Sequence, residues 1–239
     1  MADATDEEPG HTPEDANGTA DLEDAGDTAA RPRQRRTVPL FTAVVLVAIA
    51  LICGYLLGRP GHPIDTSADA GFLRDMSVHH AQAVDLSMII LEESEDPILR
   101  AVARDIARTQ QEQIGRMQGW LMQWELPARG TQPAMAWMSG HGGHGPGDAD
   151  GAGTAPMPGL VSEEEMERLR GAKGQDAEIL FLRLMIDHHR GGIEMAEAEV
   201  VLGDEPMVVE FASGMAEAQQ VEIDMMRDML EERGADPDD

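Results

Sequence analysis

Apolar and polar positions divide the chain into three regimes. Residues 38–58 (VPLFTAVVLVAIALICGYLLG) run without a charge, residues 68–126 and 161–234 carry apolar side chains at helical spacing, and the remaining stretches show no period. At about 1.5 Å per residue, an uncharged helix of this length spans the roughly 30 Å hydrocarbon layer of a bilayer, so 38–58 reads as one transmembrane helix. Arg31, Arg33, Arg35 and Arg36 precede it and Arg59 alone follows. That asymmetry predicts a cytoplasmic N-terminus and an extracytoplasmic remainder. A cleaved secretory signal is the weaker reading, because the run is long, lies far from the N-terminus and lacks a small-x-small cleavage site.

The two periodic segments are copies of each other. Phe72–Leu121 aligns with Phe181–Leu230 at a constant offset of 109 without a gap, with 14 identities in 50 positions. These include Phe-Leu-Arg, the His-His pair, Pro97 with Pro206, and a Gln-Gln pair. Each copy reads as a helix, a break at the proline and a second helix. Two such hairpins predict an all-α fold, a four-helix bundle, since four apolar stripes must bury one another. The expected organisation is an acidic disordered tail at 1–37, the span at 38–58, a linker at 59–67, the bundle at 68–234 with a Gly-, Pro-, Met- and His-rich loop at 127–160, and a short tail at 235–239.

A helical projection of about 100° per residue puts Phe72, Met76, Ala83 and Ile90 on the buried face, with His79 and His80 flanking it and Asp85 in water. The second copy repeats this with Phe181, Met185, His188 and His189. Its Glu199 falls near the inner face, where a small helix rotation would carry it to solvent, the reading preferred on sequence. The partner helices bury Ile106, Met117, Trp120 and Trp124 in one copy and Met215, Met226 and Met229 in the other, with Gln113 and Glu222 among them. Counting from each proline matches His80 with Gln113 and His189 with Glu222, and Met76 with Met117 and Met185 with Met226. The expectation is one layer of four imidazoles beside one layer of four thioethers. Buried imidazoles need a hydrogen bond or a metal, and thioethers beside them favour Cu(I) or the similar silver ion. Methionine also fills helical cores without binding anything. In the loop, Met135, Met138, His141 and His144 recur every three residues in a mobile-looking stretch that could wrap a soft ion.

Composition sharpens this picture. Of 239 residues, 45 are acidic and 18 are Lys or Arg, a net charge of -27, so no basic field exists to attract nucleic acid. The 16 methionines outnumber all aromatic residues together, and the one cysteine, Cys53, lies in the span, which excludes an internal disulfide or thiolate cluster. No Gly-x-Ser-x-Gly elbow supports nucleophilic hydrolysis.

The motifs FLRDMSVHH and FLRLMIDHH resemble the signature of the bacterial domain of unknown function 305 family over about residues 68–234. The resemblance implies a ferritin-like four-helix bundle and extracytoplasmic copper binding, with Met76, His79, His80, Met185, His188 and His189 in that role. The residues leave two other classes open. A di-iron redox enzyme would need several inward carboxylates, of which only Glu199 and Glu222 are available. A protein-interaction module would use the buried polar layer to set register.

Overall fold

The computed structural model describes residues 39–58, 61–139 and 156–237, and all regular elements among them are helical. The chain divides into two units, residues 1–59 and 60–239. The first contains α1 (Leu40–Gly58), a helix of 19 residues with a mean hydropathy of 2.7, long and apolar enough to cross a membrane. None of its side chains is buried within the protein.

The second unit holds α2 (Ala68–Glu93), α3 (Pro97–Gln123), α4 (Glu163–Gly171), α5 (Gly174–Leu202) and α6 (Pro206–Glu232). Local chemistry sets these bounds. Ser67 accepts the Ala70 N–H at the start of α2, and Asp96 accepts those of Ile98 and Leu99 at the start of α3. Pro97 and Pro206 open their helices, where a missing N–H costs nothing. The short α4 is an addition to the two-hairpin plan, started by a Ser162–Glu165 capping box.

α2 packs on α3, α5 on α6, and the hairpins join through α2 and α5. The core falls into two clusters. One unites Ala83, Leu86 and Ile90 of α2 with Phe181, Leu182 and Met185 of α5. The other unites Phe72, Leu73 and Met76 of α2 with Met195, Ala196 and Ala198 of α5. Residues after the His pair of one helix therefore meet residues before the His pair of the other, so α2 and α5 cross in opposite directions with the histidines between the clusters.

The sequence reading of a mobile loop is corrected for residues 127–139, which are strapped along α2. Arg74 donates to the Pro127 carbonyl at 3.0 Å and pairs with Asp65 at 2.6 Å, and Thr131 Oγ1 donates to Asp65 at 2.5 Å. Buried Asp75 accepts the Met135 N–H at 2.6 Å and the Trp137 Nε1–H at 2.9 Å. Trp137 lies so close over Gly71 that a Cβ there would stand 2.6 Å from its ring. Met135, at φ 63°, adopts a left-handed backbone that a side chain normally avoids, and the two hydrogen bonds to Asp75 hold the segment there. Met135 and Met138 consequently join the second core cluster. His141 and His144 lie outside the described residues.

Asp75→Ala would leave the Met135 N–H buried without a partner and release Trp137. We expect a loss of about 2–3 kcal/mol in denaturant unfolding, with a red-shifted tryptophan emission before the main transition. An unshifted spectrum and unchanged stability would show that the strap is held by other contacts.

Candidate metal centre

The four histidines of the repeated pairs stand at the α2/α5 crossing, each between 0 and 1% exposed. The His79 and His188 rings stack with centroids 3.8 Å apart, and each lies 6.3 Å from its own neighbour, His80 or His189. Each ring uses Nε2. His79 bonds to the Pro158 carbonyl at 3.1 Å, His188 to the His79 carbonyl at 3.1 Å, His80 to Gln113 Oε1 at 2.8 Å and His189 to Glu222 Oε2 at 2.7 Å. The last two contacts follow the level matching made from the prolines.

Carbonyl and carboxylate oxygens only accept, so the ring proton of a neutral imidazole sits on Nε2 in each case. Nδ1 then carries the free lone pair, and all four Nδ1 atoms are buried with no hydrogen-bond partner. Burial holds His79, His80 and His188 neutral. It pushes His80 down to about 3, reinforced by His79, and His79 down to about 4 against the opposing Pro158 bond. It also takes His188 well below the ordinary value, with His79, His189 and His80 adding to the effect. A ring N–H tied to a carbonyl or carboxylate with a bare nitrogen opposite is the arrangement metal-binding histidines use. Among the described residues, however, no three His, Cys, Asp or Glu side chains converge as a preformed metal cage. The donors are in one layer but would have to rotate to share an ion.

The expected single layer of four thioethers is corrected. Met76 and Met117 lie in one core cluster, whereas Met185 and Met226 lie in the other. The level count is right within each hairpin. Because the hairpins cross in opposite directions, one turn beyond the histidines points to opposite sides of the imidazole layer. The Met76 side also gathers Met135, Met138, Met195 and Met215, and the Met185 side Met166 and Met229. Glu199 is corrected as well. It is fully buried rather than turned to solvent, and burial, then Asp69, then Asp204 push its carboxyl up to about 9.

Three contributors escaped the sequence reading. Pro158 covers His79, Asp75 fixes the strap, and Gly191 lets the returning chain press on α5, where a Cβ would sit 2.2 Å from the Pro158 oxygen. Gly159 makes that approach at φ 69°, and Gln82 bonds Val161 in both directions at 2.8 and 2.7 Å. The adjacent Gly191-Gly192 inside a helical pattern was the available signal, since glycine in a helix interior usually reflects close approach.

The fold and this layer define a helical protein built from two histidine-bearing hairpins. Residues 69–230 match the domain of unknown function 305 family, and the chain belongs to it. The crystal structure of a putative secreted protein of this family from Streptomyces coelicolor is 42% identical with a TM-score of 0.65, covering 72% of this chain and 98% of that one. A fragment from Deinococcus radiodurans is 30% identical with a TM-score of 0.55, covering 69% and 96%. CopM in its Cu(II)-bound form is 27% identical with a TM-score of 0.52, covering 70% and 97%, and its Cu(I)-bound form is 26% identical with a TM-score of 0.51, covering 69% and 96%. Comparison with curated proteins finds no match.

In the metal-free protein, the His79 and His80 values lie below the 6.5 of an unfolded chain, so the unfolded state takes up protons first as pH falls. Their contribution to stability is complete above about pH 6.5 and is lost progressively toward pH 4, at about 1.4 kcal/mol per pH unit for each histidine. Urea unfolding between pH 4 and 8 measures the slope, and His80→Leu should remove one histidine's share. An unchanged slope in that variant would contradict the neutral buried state.

Proposed function

We propose that this chain is a membrane-anchored copper-binding protein that holds or relays the ion outside the cytoplasm. The observation that carries the reading is the set of four buried Nδ1 atoms without a hydrogen-bond partner, on His79, His80, His188 and His189. Four such atoms in one layer are costly unless something occupies them. Imidazole suits Cu(II), and the thioethers of Met76 and Met117 on one side and Met185 and Met226 on the other suit Cu(I) and, by the same softness, silver. Glu222, bonded to His189, supplies one carboxylate to the layer. The copper-bound forms of CopM, related in sequence and fold, support the choice of metal. The strapped Met135 and Met138 extend the thioether set on the Met76 side. His141 and His144 are a further candidate pair by composition alone.

The anchor is α1, and the arginines that precede it support a cytoplasmic N-terminus with the bundle on the far side. A di-iron reading is poorly served, because Glu222 is the carboxylate bonded in the histidine layer and Glu199 lies eleven residues along α5 from His188, about three turns away.

Competitive Cu(I) and Cu(II) titration of the full chain in detergent tests the reading. His79→Ala/His80→Ala and His188→Ala/His189→Ala should each weaken Cu(II) binding by about 1.4 kcal/mol or more, a tenfold loss. Met76→Leu/Met117→Leu should act mainly on Cu(I). Unchanged affinity for both oxidation states in both histidine variants would end the proposal.

A further inference from the structure

A histidine layer whose four rings are 0–1% exposed exchanges an ion with solution only through a passage in the bundle. Three of its four sides are closed. α2 packs on α3, α5 on α6 and α2 on α5. The return segment also lies over the α2/α5 crossing, with the Pro158 carbonyl on His79 and Val161 bonded to Gln82. The fourth side, between α3 and α6, has little backbone contact among the described residues, and a groove of about 430 Å³ lies there. Partly exposed Gln113 lines this groove, and its Oε1 accepts the His80 Nε2–H at 2.8 Å. Glu222, bonded to His189, is partly exposed on α6. His80 and His189 are therefore held by side chains that can swing aside, whereas His79 and His188 bond to backbone carbonyls that cannot.

The two walls of the groove touch through aromatic rings. Trp120 of α3 and Phe211 of α6 meet edge to face, with centroids 5.1 Å apart and planes at 84°. The Arg116 guanidinium lies over the Phe211 ring at 5.5 Å and is itself held by Glu112 at 2.6 Å. Trp120 stands about two helical turns, roughly 10 Å, along α3 from Gln113. On α6, exposed Met207 lies on the outer side of the ring pair and buried Met215 on the side toward Glu222. Gly214 leaves the groove wall bare, since a Cβ there would meet open space. The ring pair belongs to one end of the bundle. At an offset of 109, the counterparts of Trp120, Phe211 and Arg116 are Met229, Val102 and Met225.

We propose that the α3/α6 groove is the port by which a copper ion reaches the histidine layer, with Trp120 and Phe211 as its gate. Gln113 is the group that yields His80 to the ion. The port rests on the copper reading and adds a route to it. A soft ion finds a thioether on each side of the gate, Met207 and then Met215, which lets it shed water in steps rather than at once. Arg116 resists entry in two ways, because it steadies Phe211 and puts a positive charge beside the passage. Once Gln113 lets go, the His80 ring is free to turn its Nδ1 toward the arriving ion. His80 and His189 are then the first imidazoles to be engaged, and the stacked His79 and His188 follow.

The experiment mixes full-length protein in detergent with Cu²⁺ in a stopped-flow instrument and follows the absorbance of the copper–imidazole complex. Release is timed by adding a chelator to the loaded protein. Gly214→Phe fills the groove and replaces a helix glycine, a change the helix itself favours. It should slow loading and release alike by about tenfold while equilibrium affinity stays unchanged. Trp120→Ala and Arg116→Gln should speed both, a readout in the opposite direction that survives if Gly214→Phe folds poorly. Gly119→Phe, on α3 but not lining the groove, should leave both rates as they are. Wild-type rates in Gly214→Phe, or equal slowing in Gly119→Phe, would overturn the port. Weaker equilibrium binding in Gly214→Phe with unchanged loading would also overturn it, by making the groove part of the binding site. A wild type that takes up no copper at equilibrium ends the copper reading itself, whereas intact affinity with unresponsive rates ends the port alone.

Discussion

The stacking of His79 on His188 is the contact around which the bundle is organised. It lies where the hairpins meet, and the second ring bonds to the backbone of the first. Two neutral imidazoles can face each other at this distance only because burial suppresses their protonation. Their position fixes the register of α2 against α5 and thereby divides the apolar core into two clusters. It also leaves four Nδ1 atoms in the interior without a protein hydrogen-bond partner.

The fold was legible in the sequence because its signals are periodic. The repeat at 109 residues, the paired prolines and the apolar stripes locate four long helices, and proline counting brings His80 to Gln113 and His189 to Glu222. Periodicity says nothing about the direction in which two hairpins cross, which is why four methionines expected in one layer divide between two. It also cannot weigh a single polar residue near the edge of a stripe. Glu199 is carried inside by the packing of α2 and α3 against the α5–α6 end. The metal ligands as a set remain a proposal, since spacing identifies donors but does not bring them to a common point.

The strap shows how a segment without periodicity becomes ordered. Its composition, rich in Gly, Pro and polar residues, suggests motion, yet Asp65 just before α2 and Arg74 and Asp75 on it supply partners for the strap's backbone and for Trp137. Gly71 gives the indole its seat. The return segment uses the same device at Gly191, and its carbonyl closes one edge of the imidazole layer. Together they make two formally similar repeats unequal: the strap adds thioethers to the Met76 side, and the return segment's Pro158 carbonyl covers His79.

The crossing also governs where the two halves of a duplicated chain are free to differ. A residue on the pseudo-twofold axis touches its own counterpart, so a change at His79 alters the surroundings of His188 at once, and both copies are committed together. Away from the axis each position has a separate neighbourhood. There the halves have drifted apart: Gln113 against Glu222, Ile90 against Glu199, and Trp124 against Arg233. One contact at the centre thus leaves a shared middle flanked by two ends that evolve as independent chemical environments.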